Sequence, residues 1–402
     1  MAVLTILSML CLGDSSRVAG PASSGLIHIN TSFENASPLY WETEADNLIH
    51  VYLIYDQERS GPNRANGHWF FEIQADPNTR ATIVLHNFDN VWNGKEGSPI
   101  SDRTICYVSD DARTWRLARM ERTRDNCLKI AVTIRDGSLY VARLEPYRLS
   151  DLHAFLRRVR NDSRVEISIV GKTVEGRELE IFRIGNPEAP GRVFLRARAH
   201  PWEPGGNWVV EGLVERLLRD DEDARRYLSR YCVYIMPMAN KDGVVRGRTR
   251  FNLLGADLNR DWDRLADSTI SPENHALESW VQSMVARGQP PHLAIDLHND
   301  EYGKLHVARP SGDIDAYLKS METLEAVLRK YTWFTEGSTG ANVRNPGGIG
   351  EGLLTRFGIN SCLLELNANW IAGLNAPASA ERWKLFGSQL CEALYHYFDA
   401  SS

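Results

Sequence analysis

From Pro146 to the C-terminus, short apolar runs alternate with stretches that are apolar at helical spacing, and this alternation limits the fold more than any other feature of the chain. Segments 165–169, 178–183, 193–197, 231–237, 292–297 and 361–366 read as strands. Segments 151–160, 208–218, 274–284, 313–329 and 378–398 read as helices, the first with Ser150 where an N-cap residue is preferred. Strand–helix alternation predicts an α/β fold: a mixed, mostly parallel sheet flanked by helices.

The preceding residues follow another rule. Between 27 and 145, short runs rich in β-branched and aromatic residues occur at 48–55, 68–73, 81–85, 104–108, 127–133 and 138–144. Turn sequences such as Ser60-Gly61-Pro62-Asn63 and Arg135-Asp136-Gly137 separate them. This spacing predicts a small antiparallel β-sandwich. The chain, 402 residues long, has room for both units. The expected organisation is a leader over 1–26, a sandwich domain over 27–145 and a second domain over 146–402. His28, His50, His68 and His86 in the sandwich read as ordinary surface or packing residues.

The net charge of -6 comes from mixed signs without a basic block, which argues against a nucleic-acid surface. The cysteines at 11, 106, 127, 232, 362 and 391 form no CxxC pair. Neither a thiolate metal site nor a disulfide framework is indicated. Residues 2–12 are apolar but lack a preceding Lys or Arg, so the leader reads as a disordered segment or a cleaved signal peptide. It is too short to span a bilayer. A cytoplasmic setting is favoured, or a secreted or periplasmic one if 1–24 is a signal.

The chemistry gathers in the second unit. Strand 193–197 runs into Arg198-Ala199-His200-Pro201-Trp202-Glu203. Ligand sites in α/β sheets form at the carboxyl ends of strands. A His and a Glu three apart on a tight turn can face one cation, and catalytic zinc takes three protein ligands. His200 alone would read as a hydrogen-bonded histidine at a strand end. A third ligand from another strand end changes that reading, and His298 closes strand 292–297. Its rivals are less well placed: His292 opens the strand and His306 lies within the next apolar run. Between these segments stand Arg246, Arg248 and Arg250, then Asp257-Leu258-Asn259-Arg260. Guanidinium groups suit capture of a terminal carboxylate or stabilisation of an oxyanion; a solvated basic loop is the plain alternative. Glu365 lies inside an apolar strand, where a carboxylate is costly unless it is paired or serves as a base.

HPWEPGGNWVVEG (200–212), MPMANKDGVVRGRTRFNLLGADLNRDW (236–262), AIDLHND (294–300) and SCLLELN (361–367) together resemble zinc carboxypeptidases of the funnelin type. GKTVEGRELE (171–180) and LYVARLEPYRLSDLHAFL (139–156) extend the resemblance, the latter to the cytosolic carboxypeptidase branch. It implies one Zn2+ per chain on His200, Glu203 and His298, with Glu365 as general base. It further implies that Asn259 and Arg260 hold the C-terminal carboxylate of a peptide or protein tail, and that Arg250 polarises the scissile carbonyl, with Arg246 and Arg248 as alternatives. Lys241 stands where the family usually has proline, with little effect expected. No tyrosine occurs in 336–360 to cover the substrate, and Tyr331 stands too early. Arg344 and Arg356 are candidates for the specificity pocket. Two other readings remain on the same scaffold: a zinc amidohydrolase, either a deacylase or a cell-wall peptide amidase, and a non-catalytic binding protein. The Asn259-Arg260 pair and the sandwich favour the carboxypeptidase.

Overall fold

The computed structural model describes residues 26–44, 47–309, 312, 314–340 and 347–400. The signal-peptide question over 1–24 and the candidate Arg344 fall outside them.

Two five-stranded sheets make the N-terminal part. Leu48–Leu53 alternates partly buried and buried residues, as a strand with one face on a core must. Ile49, Val51, Phe71, Ile73, Ile83, Leu85, Ile130 and Val141 fill the space between the sheets. Neighbouring strands are antiparallel except Leu48–Leu53 and Thr79–His86, which run parallel. A smaller sheet of Asp56–Gln57, Arg64–Ala65, Asn90–Trp92 and Lys95–Gly97 projects toward the remainder of the chain.

From residue 165 a seven-stranded mixed sheet forms, in the order Val165–Lys172, Glu178–Ile184, Tyr231–Met236, Gly191–Ala197, Leu293–Asp300, Asn360–Asn367, Leu305–Val307. The four strands from Tyr231–Met236 to Asn360–Asn367 are mutually parallel, and the outer pairings are antiparallel. Every residue of Tyr231–Met236 is buried, which explains its unbroken apolar run: a central parallel strand is covered on both faces. Val193, Leu195 and Ala197 pack on the face covered by the Gly205–Leu217 and Ala380–Ala400 helices. Phe194 points to the opposite face, against Leu277 and Val281 of Pro272–Ala286 and Leu353 of Ile349–Phe357.

The first helix runs Leu149–Val159, and Ser150 is not its cap. Arg148 takes that position because the Asp151 carboxylate accepts its backbone N–H at 2.8 Å, closing the turn two residues earlier than expected. Glycines set the closest helix crossing. A Cβ on Gly212 would lie 2.0 Å from the Lys384 carbonyl oxygen, and one on Gly387 1.9 Å from that of Val209.

The sandwich docks on the second unit through buried polar contacts. Asn35 Nδ2 donates to the Val244 carbonyl at 2.8 Å, and Arg143 Nη2 donates to Asn369 Oδ1 at 2.6 Å. Asp56 accepts the backbone N–H groups of Arg250 and Phe251 at 2.7 and 2.8 Å and pairs with Arg248.

Candidate metal centre and substrate cleft

The register of the parallel strands aligns their carboxyl ends. Ala197 faces Leu297, Leu297 faces Leu364, and His298 lies directly opposite Glu365. Just past Ala197 the backbone turns sharply: Arg198 has φ +62°, a left-handed conformation that a long side chain adopts only when its surroundings hold it. Those surroundings are the Pro201 carbonyl, which accepts from Arg198 Nε at 2.7 Å, and Asn207 Oδ1, which accepts from Nη1 at 3.1 Å. The turn delivers His200 and Glu203. Gly205 and Gly206 then let the following helix begin against Asn299, Ala197 and Leu297, where a side chain would collide.

His200, Glu203 and His298 are 3%, 3% and 1% exposed. Their donor atoms converge: His200 Nδ1 to Glu203 Oε1 is 2.8 Å, His298 Nδ1 to Glu203 Oε2 is 2.8 Å, and the two Nδ1 atoms are 3.1 Å apart. The far nitrogens face carboxylates. His298 Nε2 lies 2.6 Å from Asp296 Oδ2, and His200 Nε2 lies 3.1 Å from Asp257 Oδ1. A carboxylate only accepts, so each Nε2 donates its N–H to the carboxylate behind it, and the Nδ1 atoms are the ones that face inward. With both Nδ1 atoms unprotonated, two lone pairs and a carboxylate point at one spot, an arrangement that repels itself unless a cation lies among them. Tetrahedral zinc, about 2.0–2.1 Å from each donor, spaces its ligands roughly 3.3 Å apart; the donors stand 2.8–3.1 Å apart, so a small outward movement of each seats the ion, and the His–Glu–His set is one zinc accepts. Carboxylates behind the histidines also match the usual support of metal-bound imidazoles.

Charge organises the surroundings. Burial opposes ionisation of Glu203, but the facing imidazoles outweigh it and hold the carboxyl down to about 2. Asp257 is likewise held well below the usual range, its burial outweighed by Arg250 and His200. Asp296 is buried and gripped by Arg196 through two bonds of 2.7 and 2.6 Å. Glu365 differs. Burial, and then Asp300 and Glu203, push its carboxyl well above the ordinary range against the opposing pull of His298 and Arg250. Its Oε2 is sealed from solvent without a hydrogen-bond partner. Asp300, His306 and Glu365 also lie close enough to form a second potential donor group, which is where His306, a rival third ligand, is found. His292 is remote, bonded to Arg192.

Of Arg246, Arg248 and Arg250, only Arg250 pairs with a carboxylate that contacts the trio. Its Nε donates to Asp257 Oδ2 at 2.9 Å. Arg246 pairs with Glu175 on the surface, and Arg248 pairs with Asp56. Arg260 lines an open cleft of about 460 Å³ beside Asp257, Trp92 and Asn63. Asn259 is buried, and its Oδ1 accepts the Ile349 N–H at 3.1 Å, fixing the start of the Ile349–Phe357 helix. Arg356 is occupied by the Trp262 and Arg264 carbonyls and by Glu278, so it is not free to line a pocket. Lys241, in place of proline, is buried with its Nζ against Glu180 and the Glu178 carbonyl. Tyr331 stacks on His396 at 4.2 Å.

Sequence reasoning passed over Asp257, Asp296, Asp56 and Trp92. Asp296 had a signal: two residues before His298 on a strand, it shares that residue's face. Asp257 had a weaker one, in the segment that carries Arg260. Asp56 and Trp92 belong to the sandwich and had none.

A zinc carboxypeptidase family model matches residues 152–300. Cytosolic carboxypeptidase 1 of Danio rerio is 37% identical over 236 residues, covering 54% of this chain and 20% of that protein. An uncharacterised protein of Zymomonas mobilis is 32% identical over 202 residues, covering 48% of this chain and 49% of its own length. The chain thus spans half or less of the length of these relatives. A metallo-carboxypeptidase from Burkholderia cenocepacia superposes with a TM-score of 0.81 at 22% identity, covering 93% of this chain and 99% of that one. A metallo-carboxypeptidase from Pseudomonas aeruginosa, in complex with (2-guanidinoethylmercapto)succinic acid, gives 0.77 at 22% identity, covering 92% and 98%. At these identities the likeness establishes the fold. Residues 152–300 thus match the zinc carboxypeptidase family model, and about half of the chain resembles cytosolic carboxypeptidases.

Proposed function

We propose that this protein is a zinc metallocarboxypeptidase that hydrolyses the C-terminal peptide bond of peptides or protein tails. One observation carries the reading: the Nδ1 atoms of His200 and His298 and the carboxylate of Glu203 lie 2.8–3.1 Å apart, with Glu365 on the strand position facing His298. Bound by these donors, zinc supplies Lewis acidity toward a carbonyl, acidifies water, and opposes with its charge the carboxylates that raise Glu365.

The chain's own residues do the rest. Glu365, with an unpartnered Oε2, takes a proton from the attacking water and returns it to the leaving amine. Its apolar strand keeps competing water away and keeps its proton affinity high enough for the return step. Arg250, anchored by Asp257, faces the carbonyl oxygen as charge develops there. Arg260 pairs with the substrate's terminal carboxylate, which selects chain ends because an internal peptide bond offers no such group. Asn259 acts by fixing the loop that carries Arg260.

The test is incubation of the zinc-loaded protein with peptides bearing a free or an amidated C-terminus, with products identified by mass spectrometry. Release of single residues from the free acid alone is expected. Glu365→Gln is expected to keep zinc and lose turnover by roughly 10²–10⁴-fold, whereas His298→Ala loses both. Equal cleavage of amidated peptides, or near-full activity of Glu365→Gln, refutes the assignment.

A further inference from the structure

Arg250 and Arg260 share one aromatic ring, and it comes from the sandwich. The Arg250 guanidinium carbon lies 4.1 Å from the ring centroid of Trp92, and that of Arg260 lies 5.2 Å away. Both fall within the reach of cation–π attraction. The ring itself is held firmly. Trp92 ends the Asn90–Trp92 strand and pairs with Lys95 across a two-residue turn, Asn93-Gly94. Those residues have φ +51° and +72°, the positive pair that a tight hairpin of this kind requires. The Asn93 N–H donates to Asn63 Oδ1 at 2.7 Å, pinning the tip.

The two arginines depend on the ring unequally. Arg250 also has Asp257, to which it donates at 2.8–2.9 Å. Arg260 donates from Nη1 to the Asn259 carbonyl at 2.7 Å; burial is the largest influence against its charge, Asp257 favours the charge, and neighbouring Arg250 opposes it. Arg250 is fixed by an ion pair to Asp257, whereas the direct contacts on the Arg260 guanidinium are one backbone carbonyl and the face of Trp92.

We propose that Trp92 is a positioning residue supplied by the N-terminal sandwich, holding Arg260 foremost and Arg250 secondarily in the orientation that receives a tail's terminal carboxylate. This rests on the carboxypeptidase reading for the identity of the ligand. It makes the sandwich a working wall of the cleft.

The test uses zinc-loaded protein in a Glu365→Gln background, so that binding is measured without turnover. Calorimetry compares one peptide as free acid and as amide. Trp92→Leu keeps apolar bulk without a π face, and Trp92→Phe keeps the face. Leu is expected to weaken free-acid binding by roughly 3- to 30-fold, leaving amide and zinc binding unchanged, while Phe stays within about 3-fold of the parent. In an Arg260→Ala background the Leu effect should largely vanish. In the active enzyme the same loss should appear in KM more than in kcat. Equal behaviour of Leu and Phe, or a Leu effect that persists without Arg260, overturns the proposal. If the parent binds the free acid preferentially but active enzyme does not cleave it, the functional reading fails while Trp92 is still judged by affinity. No free-acid preference in the parent overturns both.

Discussion

Replacing Asp296 by Asn tests whether the carboxylates behind the histidines build the metal centre. Asp296 is 3% exposed and its partner Arg196 is 1% exposed. Arg196 donates to both carboxylate oxygens, at 2.7 and 2.6 Å, and His298 Nε2 donates to Oδ2 at 2.6 Å. An amide offers one oxygen to these three donors and turns an NH₂ group toward the rest. In either amide orientation at least one donor meets another donor, and Arg196 is left without its counter-charge. Breaking a buried ion pair from one side costs about 3–5 kcal/mol. At roughly 2–4 °C per kcal/mol for a unit of this size, the metal-free protein should unfold some 6–20 °C lower. Zinc affinity should fall by about 10- to 100-fold, because His298 loses the acceptor that fixes its ring and tautomer. Competition with a fluorescent chelator measures the affinity, and calorimetric melting of the metal-free protein measures the stability. Asp296→Asn with wild-type affinity and melting temperature would refute the reasoning, since both effects follow from one set of bonds.

Three further outcomes follow from single residues. Arg260→Ala should raise KM for free-acid peptides at least tenfold, the loss of one charge-assisted pairing; an unchanged KM in steady-state assays counts against carboxylate capture. His68 is buried, and burial, its largest influence, holds its pKa down from 6.5 to about 4. Above pH 6.5 it is neutral in both states and makes no difference. Below that the unfolded chain binds the extra proton, so stability falls as pH drops toward 4, by about 2 kcal/mol at pH 5. Urea titrations of wild type and His68→Gln at pH 7 and 5 should differ in that slope, and parallel slopes would sink the argument. Gly212→Ala gains roughly 0.5–1 kcal/mol of helix propensity, but its new Cβ would stand 2.0 Å from a backbone oxygen that cannot move alone. Overpacking of about 1–3 kcal/mol should win, and a melting temperature at or above wild type would show that the helices separate freely.

The convergence of His200, Glu203 and His298 was legible because its parts are local. A histidine or glutamate at the end of an apolar strand announces itself, and parallel strands bring such ends together whatever the loops between them do. The five helices read from the sequence lie within a few residues of their places, but Glu222–Arg230 and Ile349–Phe357 were not read. What could not be read depends on partners distant in sequence. Ser150 has the side chain of a cap, but Asp151 closes a box on Arg148 and moves the helix start. Arg250 was preferred to Arg246 and Arg248 only through the family resemblance; their different surroundings come from Asp56, some 190 residues earlier, and from Asp257. The same holds for Arg356, consumed by Glu278. The parallel pairing of Leu48–Leu53 with Thr79–His86 left no mark either, because an alternating strand looks alike in both orientations.

The charge pattern explains why these carboxylates survive burial. Asp296 has Arg196, Asp257 has Arg250, and Glu203 has two imidazoles. Glu365 alone lacks a hydrogen-bonded partner for Oε2, and it alone of these four is driven strongly toward its protonated form. An arrangement selected only for stability would satisfy that atom or replace it with an apolar group, since an orphaned buried acceptor costs about 1–3 kcal/mol. The three satisfied carboxylates face the histidines and arginines that must stay in place. The unsatisfied one stands on the strand directly opposite a histidine of the trio, the position that the proposed general-base role requires.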